Sequence, residues 1–233
     1  MTLILNIETS GEVCSVAISE NEKLIAVDQT NEKNSHSTKL APLTNDIFKK
    51  SGIKPAQINA IAISRGPGSY TGLRIGASFA KGLCYSLNIP LIAVDTLMIM
   101  CVRVLQMRVF NSQTLLCPMI DARRMEVYTA MYDLSLIRKT EISPLILNEN
   151  AFEQYENNDI VFFGTGMNKW QEYISKNIMP NFTFIPDIYP TAESMAELSY
   201  SLFNEKKFEN TAYFEPFYLK EFIAGIPTKN KLF

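Results

Sequence analysis

The chain has 233 residues, 47% of them hydrophobic and 20% charged, and this composition excludes a disordered or fibrous protein. Its formal net charge of −2 gives no overall attraction to nucleic acid, so any RNA binding is expected to depend on a partner. The four cysteines form no CxxC pair, which argues against a disulfide framework or a cysteine zinc site. Because there is no basic leader and no apolar run of membrane length, we expect a cytoplasmic protein.

The first half of the chain predicts three strands followed by a βαβ unit. Short polar turns separate apolar runs at 3–8, 13–19 and 24–30, which indicates antiparallel hairpins. A helix is predicted from about residue 34 to Gly52, and it contains Pro42. Next come a strand at 58–64, a glycine-rich turn, a helix at 73–87 and a strand at 91–94. This order is typical of a ribonuclease-H-like lobe.

The second half predicts a weaker repeat of the same order. A helix at 96–109 leads into strands at 115–120, 126–132, 137–147, 160–164 and 182–185, with helices at 151–155, 169–176 and 191–208. We therefore predict an α/β protein with mixed sheets and two lobes, the duplicated architecture of actin and hexokinase (the ASKHA fold). The predicted lobes are residues 1–100 and a smaller, degenerate lobe of residues 101–233, whose last helix packs back on the first lobe. The tail from Ala224 onward is expected to be loose.

The glycine-rich turn between the strand at 58–64 and its helix is the first candidate site. Glycines let a backbone approach a ligand closely, and the N–H groups of a first helical turn face an anion. The turn lacks the Lys-Ser/Thr of a P-loop and the spacing of a dinucleotide fingerprint. Both a degenerate phosphate site and a tight structural turn remain open. The phosphate reading names Gly66, Gly68, Ser69, Thr71 and Gly72.

Glu8 and His36 are the candidates for chemistry outside this turn. Glu8 precedes the first hairpin turn, where it could belong to a remnant phosphate loop. We favour a plain hairpin turn, with Glu8 solvated or paired to Arg65 or Arg74. His36 is the only histidine, and Leu40 stands one helical turn later, so no metal-binding histidine pair exists. We expect no metal, and an interface or capping role for His36.

Two helix faces could hold a partner subunit or pack on the protein's own sheet. Glycine and alanine at intervals of four in the 73–87 helix would allow another element to approach closely. The side chains proposed for a partner interface are His36, Leu40, Leu43, Ile47, Leu73, Gly76 and Ala80. If these faces hold a partner subunit, the element that approaches Gly76 belongs to that subunit. Gly76→Leu would then abolish pairing without unfolding the chain.

A charge cluster and a second glycine turn lie in the second half. Asp121, Arg123, Arg124 and Glu126 could clamp a substrate, but such clusters are more often solvated turns with local ion pairs. The turn at 164–166 follows a predicted strand, and its two glycines alone make a weak adenosine site. No Ser–His–Asp or Cys–His triad can be assembled around the single histidine.

The segment Arg65–Arg74, with the sequence RGPGSYTGLR, resembles the signature of the bacterial TsaB (YeaZ) family. The resemblance extends to Asn6–Ser10, His36–Ser37, Ile120–Tyr128 and Pro216–Lys220. It is strong in the first half and confined to islands in the second. The final segment ends in Lys220, where the family pattern has arginine.

The resemblance implies a non-catalytic scaffold subunit for the synthesis of N6-threonylcarbamoyladenosine (t6A) at position 37 of tRNA. Such a subunit pairs with a catalytic TsaD-like subunit, which carries the histidine pair missing here, and recruits a TsaE-like ATPase. Pairing through the two helices named above, and a homodimer in isolation, are implied too. The chain would hold no cofactor tightly; ATP and threonylcarbamoyl-AMP would bind the partner subunits, and tRNA would bind through the complex.

Two other functions compete with this interpretation. One is an autonomous small ATPase or sugar-type kinase of the same architecture, against which the missing metal-binding acids argue. The other is a glycoprotease-like metallopeptidase, which the single histidine and the lack of an HExxH motif disfavour.

Overall fold

The first half of the chain forms a five-stranded mixed sheet in the computed structural model, which describes residues 1–175 and 179–220. Its elements are β1 (Leu3–Glu8), β2 (Cys14–Glu20), β3 (Lys23–Thr30), α1 (His36–Ser51), β4 (Ala60–Gly66), α2 (Tyr70–Leu87) and β5 (Leu91–Asp95). The strand order is β3-β2-β1-β4-β5. The pairs β1–β2 and β2–β3 are antiparallel, whereas β1–β4 and β4–β5 are parallel.

The second half repeats this sheet strand for strand. Its elements are α3 (Thr96–Met107), β6 (Leu115–Asp121), β7 (Glu126–Thr129), β8 (Ser143–Ile146), β9 (Ile160–Phe163), α4 (Met167–Tyr173), β10 (Phe182–Ile185) and α5 (Ala196–Asn204). The order β10-β9-β6-β7-β8 matches the first sheet when β6 is set against β1. The directions of the paired strands match too. The predicted two-lobe α/β fold with mixed sheets is confirmed.

The first sheet is covered on both faces. On one face, α1 and α2 bury Leu40, Ile47 and Ala80 against the aliphatic side chains of β1, β2 and β4. On the other face lie α5 and the 3₁₀ turn Ala192–Met195, with Met195 fully buried. The hydroxyl of Ser15 on β2 accepts a hydrogen bond of 2.9 Å from the Ala192 N–H. The end of the chain's second half therefore completes the core of the first sheet, and the boundary expected at residue 100 lies inside α3.

Capping moves the start of α2 forward from the predicted residue 73 to Tyr70. The Ser69 hydroxyl accepts a hydrogen bond of 3.2 Å from the Gly72 N–H and so caps the helix inside the glycine turn. The first helix ends where expected, because Gly52 adopts a left-handed conformation and donates its N–H to the Phe48 carbonyl. Both helix boundaries thus follow from single capping residues.

The second lobe departs further from the predicted elements. The strands predicted at 126–132 and 137–147 are shorter, because the Asp133 carboxylate accepts from the N–H groups of Ser135 and Ile137 and forms a turn. The helix predicted at 151–155 is a 3₁₀ turn, and the one at 191–208 is a 3₁₀ turn followed by α5. The predicted end of the 169–176 helix and the tail from Ala224 lie outside the described residues. No helix among these is long and apolar enough to cross a membrane.

We predict that Met195→Ala destabilises the first lobe although Met195 belongs to the second half of the sequence. Removing this fully buried side chain leaves a cavity against the first sheet and should lower the free energy of unfolding by about 2–5 kcal/mol. Met107→Ala, at a position 51% exposed, is the matched control and should change it by less than about 0.5 kcal/mol. Urea unfolding of both variants measures the difference, and equal effects would contradict the packing described.

Candidate functional site

Two turns of the first lobe meet at the carboxyl ends of β1 and β4. The Ser69 N–H donates to the Ser10 carbonyl at 2.7 Å, and the Thr9 hydroxyl donates to the Gly72 carbonyl at 2.8 Å. A Cβ atom on Gly68 would stand 2.5 Å from the Ser10 carbonyl oxygen. The glycines of the turn therefore make room for the backbone of the same chain.

The space beside Gly66 is also filled by another segment of the same chain. It has φ +112°, and a Cβ there would lie 2.7 Å from the carbonyl oxygen of Phe217. The Phe217 N–H donates to the Arg65 carbonyl at 2.7 Å. Phe217 belongs to the irregular segment after α5, residues 209–220, which we call the strap. Of the predicted phosphate residues, Gly66, Gly68 and Gly72 thus contact the chain itself, while Ser69 and Thr71 remain exposed.

Glu8 is fully buried beneath these turns. One carboxylate oxygen accepts the Ser10 N–H at 2.5 Å, and the other completes no hydrogen bond with the described residues. Burial raises the pKa of Glu8 to about 7, and the neighbouring Ser10 and Ser64 groups offset part of that shift. The expectation of a solvated Glu8, or of one paired to an arginine, is wrong.

The two arginines expected near Glu8 have other partners. Arg65 Nε bonds Asp95 Oδ1 at 2.6 Å, and Arg138 Nη1 lies 3.9 Å from Asp95 Oδ2. Arg74 donates to the Tyr70 hydroxyl at 2.8 Å. Asp95 ends β5 in the first lobe, whereas Arg138 belongs to the second, so this cluster joins the lobes.

His36 begins α1 and rests on the turn between β1 and β2. Its Nε2 atom is buried and completes no hydrogen bond with the described residues. Burial lowers the pKa of His36, and the backbone of Gly11 and Val13 offsets part of this effect. Leu40, one turn later, is 2% exposed and belongs to the core. No group of three or more potential metal ligands occurs within residues 1–175 and 179–220.

Most of the side chains proposed for a partner interface are buried in the chain itself. Leu40, Ile47, Leu73, Gly76 and Ala80 are buried, and Leu43 is partly covered. A Cβ on Gly76 would collide with the Thr9 hydroxyl. The close neighbour of Gly76 is therefore the β1–β2 turn, which corrects the expectation that another subunit approaches there. Pairing through the outer surfaces of α1 and α2 stays a prediction.

The second lobe repeats the two-turn arrangement with different chemistry. Asp121 at the end of β6 accepts the Arg123 N–H at 2.6 Å, as Glu8 at the end of β1 accepts the Ser10 N–H. Arg123 and Arg124 have φ +69° and +48°, which is strained for arginine. Lys169 secures this turn by binding the Asp121 carboxylate at 2.8 Å and two backbone carbonyls. The cluster is thus a rigid, exposed turn.

Sequence reasoning missed several residues that hold the site together. Asp95 has no predicted role, and Lys169 is predicted only as the start of a helix. Neither has a local sequence signal, because its partner lies 30 or 48 positions away. The strap was visible as the family-like segment Pro216–Lys220, yet nothing in its composition reveals that it crosses Gly66.

Comparisons with known proteins identify the family of this chain. A family described as "TsaD: tRNA N6-adenosine threonylcarbamoyltransferase" matches residues 29–228. The chain is 34% identical over 228 residues to "tRNA threonylcarbamoyladenosine biosynthesis protein TsaB" of Escherichia coli, covering 95% of this chain and 96% of that protein. The chain belongs to the TsaB (YeaZ) family.

Solved structures of the family have the same fold. The structure described as "YeaZ from Pseudomonas aeruginosa" superposes with a TM-score of 0.78 and 26% identity, over 94% of this chain and all of that one. A second Pseudomonas aeruginosa structure, described as an uncharacterized protein with similarity to peptidase YEAZ, gives a TM-score of 0.82 at 25% identity. It likewise covers 94% of this chain and the whole of the other. The TsaB-family resemblance predicted from the sequence is confirmed.

We predict opposite effects for alanine at two glycines of α2. Gly76→Ala should lower the free energy of unfolding by about 1–3 kcal/mol, because the new methyl group meets Thr9. Gly82→Ala should raise it by about 0.5–1 kcal/mol, since nothing lies within 4 Å and alanine favours the helix. Thermal and urea unfolding test both. A Gly76→Ala variant as stable as Gly82→Ala would refute the close contact.

We also predict that Glu8 makes the protein less stable as the pH rises. An unfolded carboxyl titrates near 4.5, and Glu8 in the folded protein titrates near 7. Between these values only the unfolded state loses the proton, so the free energy of unfolding falls, by about 3 kcal/mol in total. Below pH 4.5 and above pH 7 this contribution is constant.

Glu8→Gln should abolish that part of the pH dependence, because glutamine mimics the protonated carboxyl. Urea unfolding of both proteins from pH 4.5 to 8 measures the difference, and taking the difference cancels the contribution of His36. Glu12→Gln, an exposed change in the same turn, is the control and should keep the wild-type pH dependence. Parallel curves for wild type and Glu8→Gln would refute the prediction.

Proposed function

We propose that this chain is the non-catalytic scaffold subunit in the synthesis of t6A in tRNA. The observation that carries the proposal is its similarity to the E. coli protein named for threonylcarbamoyladenosine biosynthesis, which extends over nearly the whole of both chains. The match to the TsaD family supports the same pathway.

The site itself supports a scaffold more than a catalyst. The only histidine is followed one turn later by the core residue Leu40, so the chain offers no histidine pair for a metal. Glu8 is enclosed, and the Phe217 carbonyl lies in the space beside Gly66 that a phosphate could have used. No described contact favours the alternative of an autonomous ATPase or kinase.

The outer surfaces of α1 and α2 support pairing with a TsaD-like catalytic subunit. Apolar side chains that the sheet covers only in part lie along both helices: Leu43, Phe48, Ile75, Phe79 and Leu83. Tyr85 is 89% exposed, and the small residues Ala41, Ser78 and Gly82 also face solvent. Small and apolar groups on one surface let two helix pairs pack closely. The same surface would form the homodimer of the isolated chain.

The remaining parts of the proposal follow from membership of the family. A TsaE-like ATPase would join the pair, and ATP and threonylcarbamoyl-AMP would bind at those partner subunits. The chain itself would carry no tightly bound cofactor and would act in the cytoplasm. These assignments are tested by isolating the assembly from its native cells with the tagged chain, and by measuring t6A in digested tRNA. A strain depleted of the chain should lose t6A, and unchanged t6A would refute the function.

We predict that Ala41→Arg separates the chain from its catalytic partner without unfolding it. Ala41 is exposed on α1, where a large charged side chain would hold two packed helices apart. Partner recovery should fall by about tenfold or more, equivalent to ~1.4 kcal/mol. Ala56→Arg is the matched control, since Ala56 is exposed outside both helices. Quantitative co-purification with the melting temperature as a folding check measures the effect, and equal recovery for both variants would contradict the interface.

A further inference from the structure

The strap links residues of both lobes into one continuous surface. Lys81 on α2 donates to the carbonyls of Ala212 and Phe214. Further along, Tyr218 lies against Tyr70, with ring centroids 4.9 Å apart. Lys220 then pairs with Glu126 at the start of β7. We call the surface formed by the strap, the start of α2 and the β6–β7 turn the strap surface.

The strap surface is basic although the chain as a whole is acidic. Eight cationic side chains lie on it or contact it: Arg65, Arg74, Lys81, Arg123, Arg124, Arg138, Lys169 and Lys220. Six carboxylates accompany them: Asp95, Asp121, Glu126, Glu141, Glu209 and Glu215. The surface therefore has a formal surplus of positive charge on a protein of net charge −2. Such an uneven distribution is the electrostatic pattern of a polyanion contact.

The surplus is concentrated on arginines that have no carboxylate partner. The two acids beside the β6–β7 turn are already neutralised, Asp121 by Lys169 and Glu126 by Lys220. Arg123 and Arg124 form no ion pair with the described residues, and both are exposed. Their left-handed backbone is held in place by the three hydrogen bonds of Lys169. The turn thus presents two guanidinium groups on a rigid support.

Aromatic rings lie beside these charges. Arg74 lies over the Tyr70 ring, 5.4 Å from its centroid, and it is exposed without an ion pair to the described residues. Tyr218 is 36% exposed and tilted by 44° against Tyr70. Arginine next to exposed tyrosine is the combination that holds a phosphate backbone and stacks an unpaired base.

We propose that the strap surface is an RNA contact of this chain, taking the phosphates of tRNA on Arg74 and Arg124 and an unpaired base on Tyr218. This inference rests on the proposed function, and refines it: tRNA is held by the complex, and this chain supplies part of the binding surface. The surface lies at the junction of the lobes, where the strap runs from α2 to the start of β7.

The first test measures binding of a fluorescent tRNA transcript to the full-length chain in complex with its catalytic partner, by anisotropy at low salt. The double variant Arg74→Gln/Arg124→Gln should weaken binding about tenfold or more, and should flatten the dependence on salt by about one to two released ions. The control Arg108→Gln/Lys23→Gln removes two exposed cations away from the strap surface and should bind like wild type. No measurable binding by the wild-type complex, or equal losses in the complexes of both variants, would overturn the proposal.

The second test separates stacking from charge. Tyr218→Leu should weaken binding of the transcript about threefold to tenfold, whereas Tyr218→Phe should retain it, because both aromatic residues can stack on a base. Melting temperatures verify folding. Wild-type affinity in Tyr218→Leu would overturn the stacking assignment. Displacement of the transcript by millimolar ATP as readily as by unlabelled tRNA would identify a nucleotide site and overturn the RNA contact.

Cells distinguish failure of this inference from failure of the proposed function. In a strain depleted of the chain, the wild-type gene should restore t6A, and Arg74→Gln/Arg124→Gln should restore less while still co-purifying the catalytic partner. If wild type restores no t6A, the proposed function is wrong. If wild type restores t6A and the double variant does so equally well, only the RNA contact is refuted.

Discussion

The contact between the β1–β2 turn and the first turns of α2 is the constraint on which the first lobe depends. Thr9 and Ser10 bond the backbone of the glycine turn, and three glycines of that region stand where any side chain would collide with them. Glycine therefore recurs here to admit the protein's own backbone at Gly68 and Gly72 and the Thr9 side chain at Gly76. This contact fixes α2 on the sheet, and α2 in turn positions the strap through Lys81.

The two lobes show one geometry adapted to opposite environments. In each lobe an acid at the end of the central strand accepts the N–H group two residues later. In the first lobe that acid is Glu8, buried and with one oxygen lacking a partner, so its protonated form is favoured. In the second lobe it is Asp121, exposed and paired with Lys169. The two lobes thus share the backbone hydrogen bond to the acid, whereas the burial of each acid determines whether it is protonated or paired with a cation.

The sequence allowed the succession of strands and helices in the first half, and the end of α1 at Gly52, to be predicted, because these depend on local periodicity and on single capping residues. Prediction from the sequence failed where the environment of a residue depends on segments far away in the chain. The small residues around Gly76 have the same spacing whether another subunit or Thr9 lies opposite. The pattern therefore could not show which of the two contacts Gly76. Glu8 was misassigned for the same reason: its burial depends on segments that α2 and β4 bring over it. Residue type marked the glycine turn as a candidate site, but it could not show which segments of the same chain lie against those glycines.

Three separate connections oppose the hinge motion on which a two-lobe kinase depends. Asp95 of the first lobe binds Arg65 and approaches Arg138 of the second. The strap crosses the same junction, from the Arg65 backbone to Glu126. The 3₁₀ turn and α5, which follow the second sheet, are packed into the core of the first. Opening the lobes would break all three at once. Such a chain gains a fixed outer surface, and a fixed surface is what a scaffold contributes to its partners.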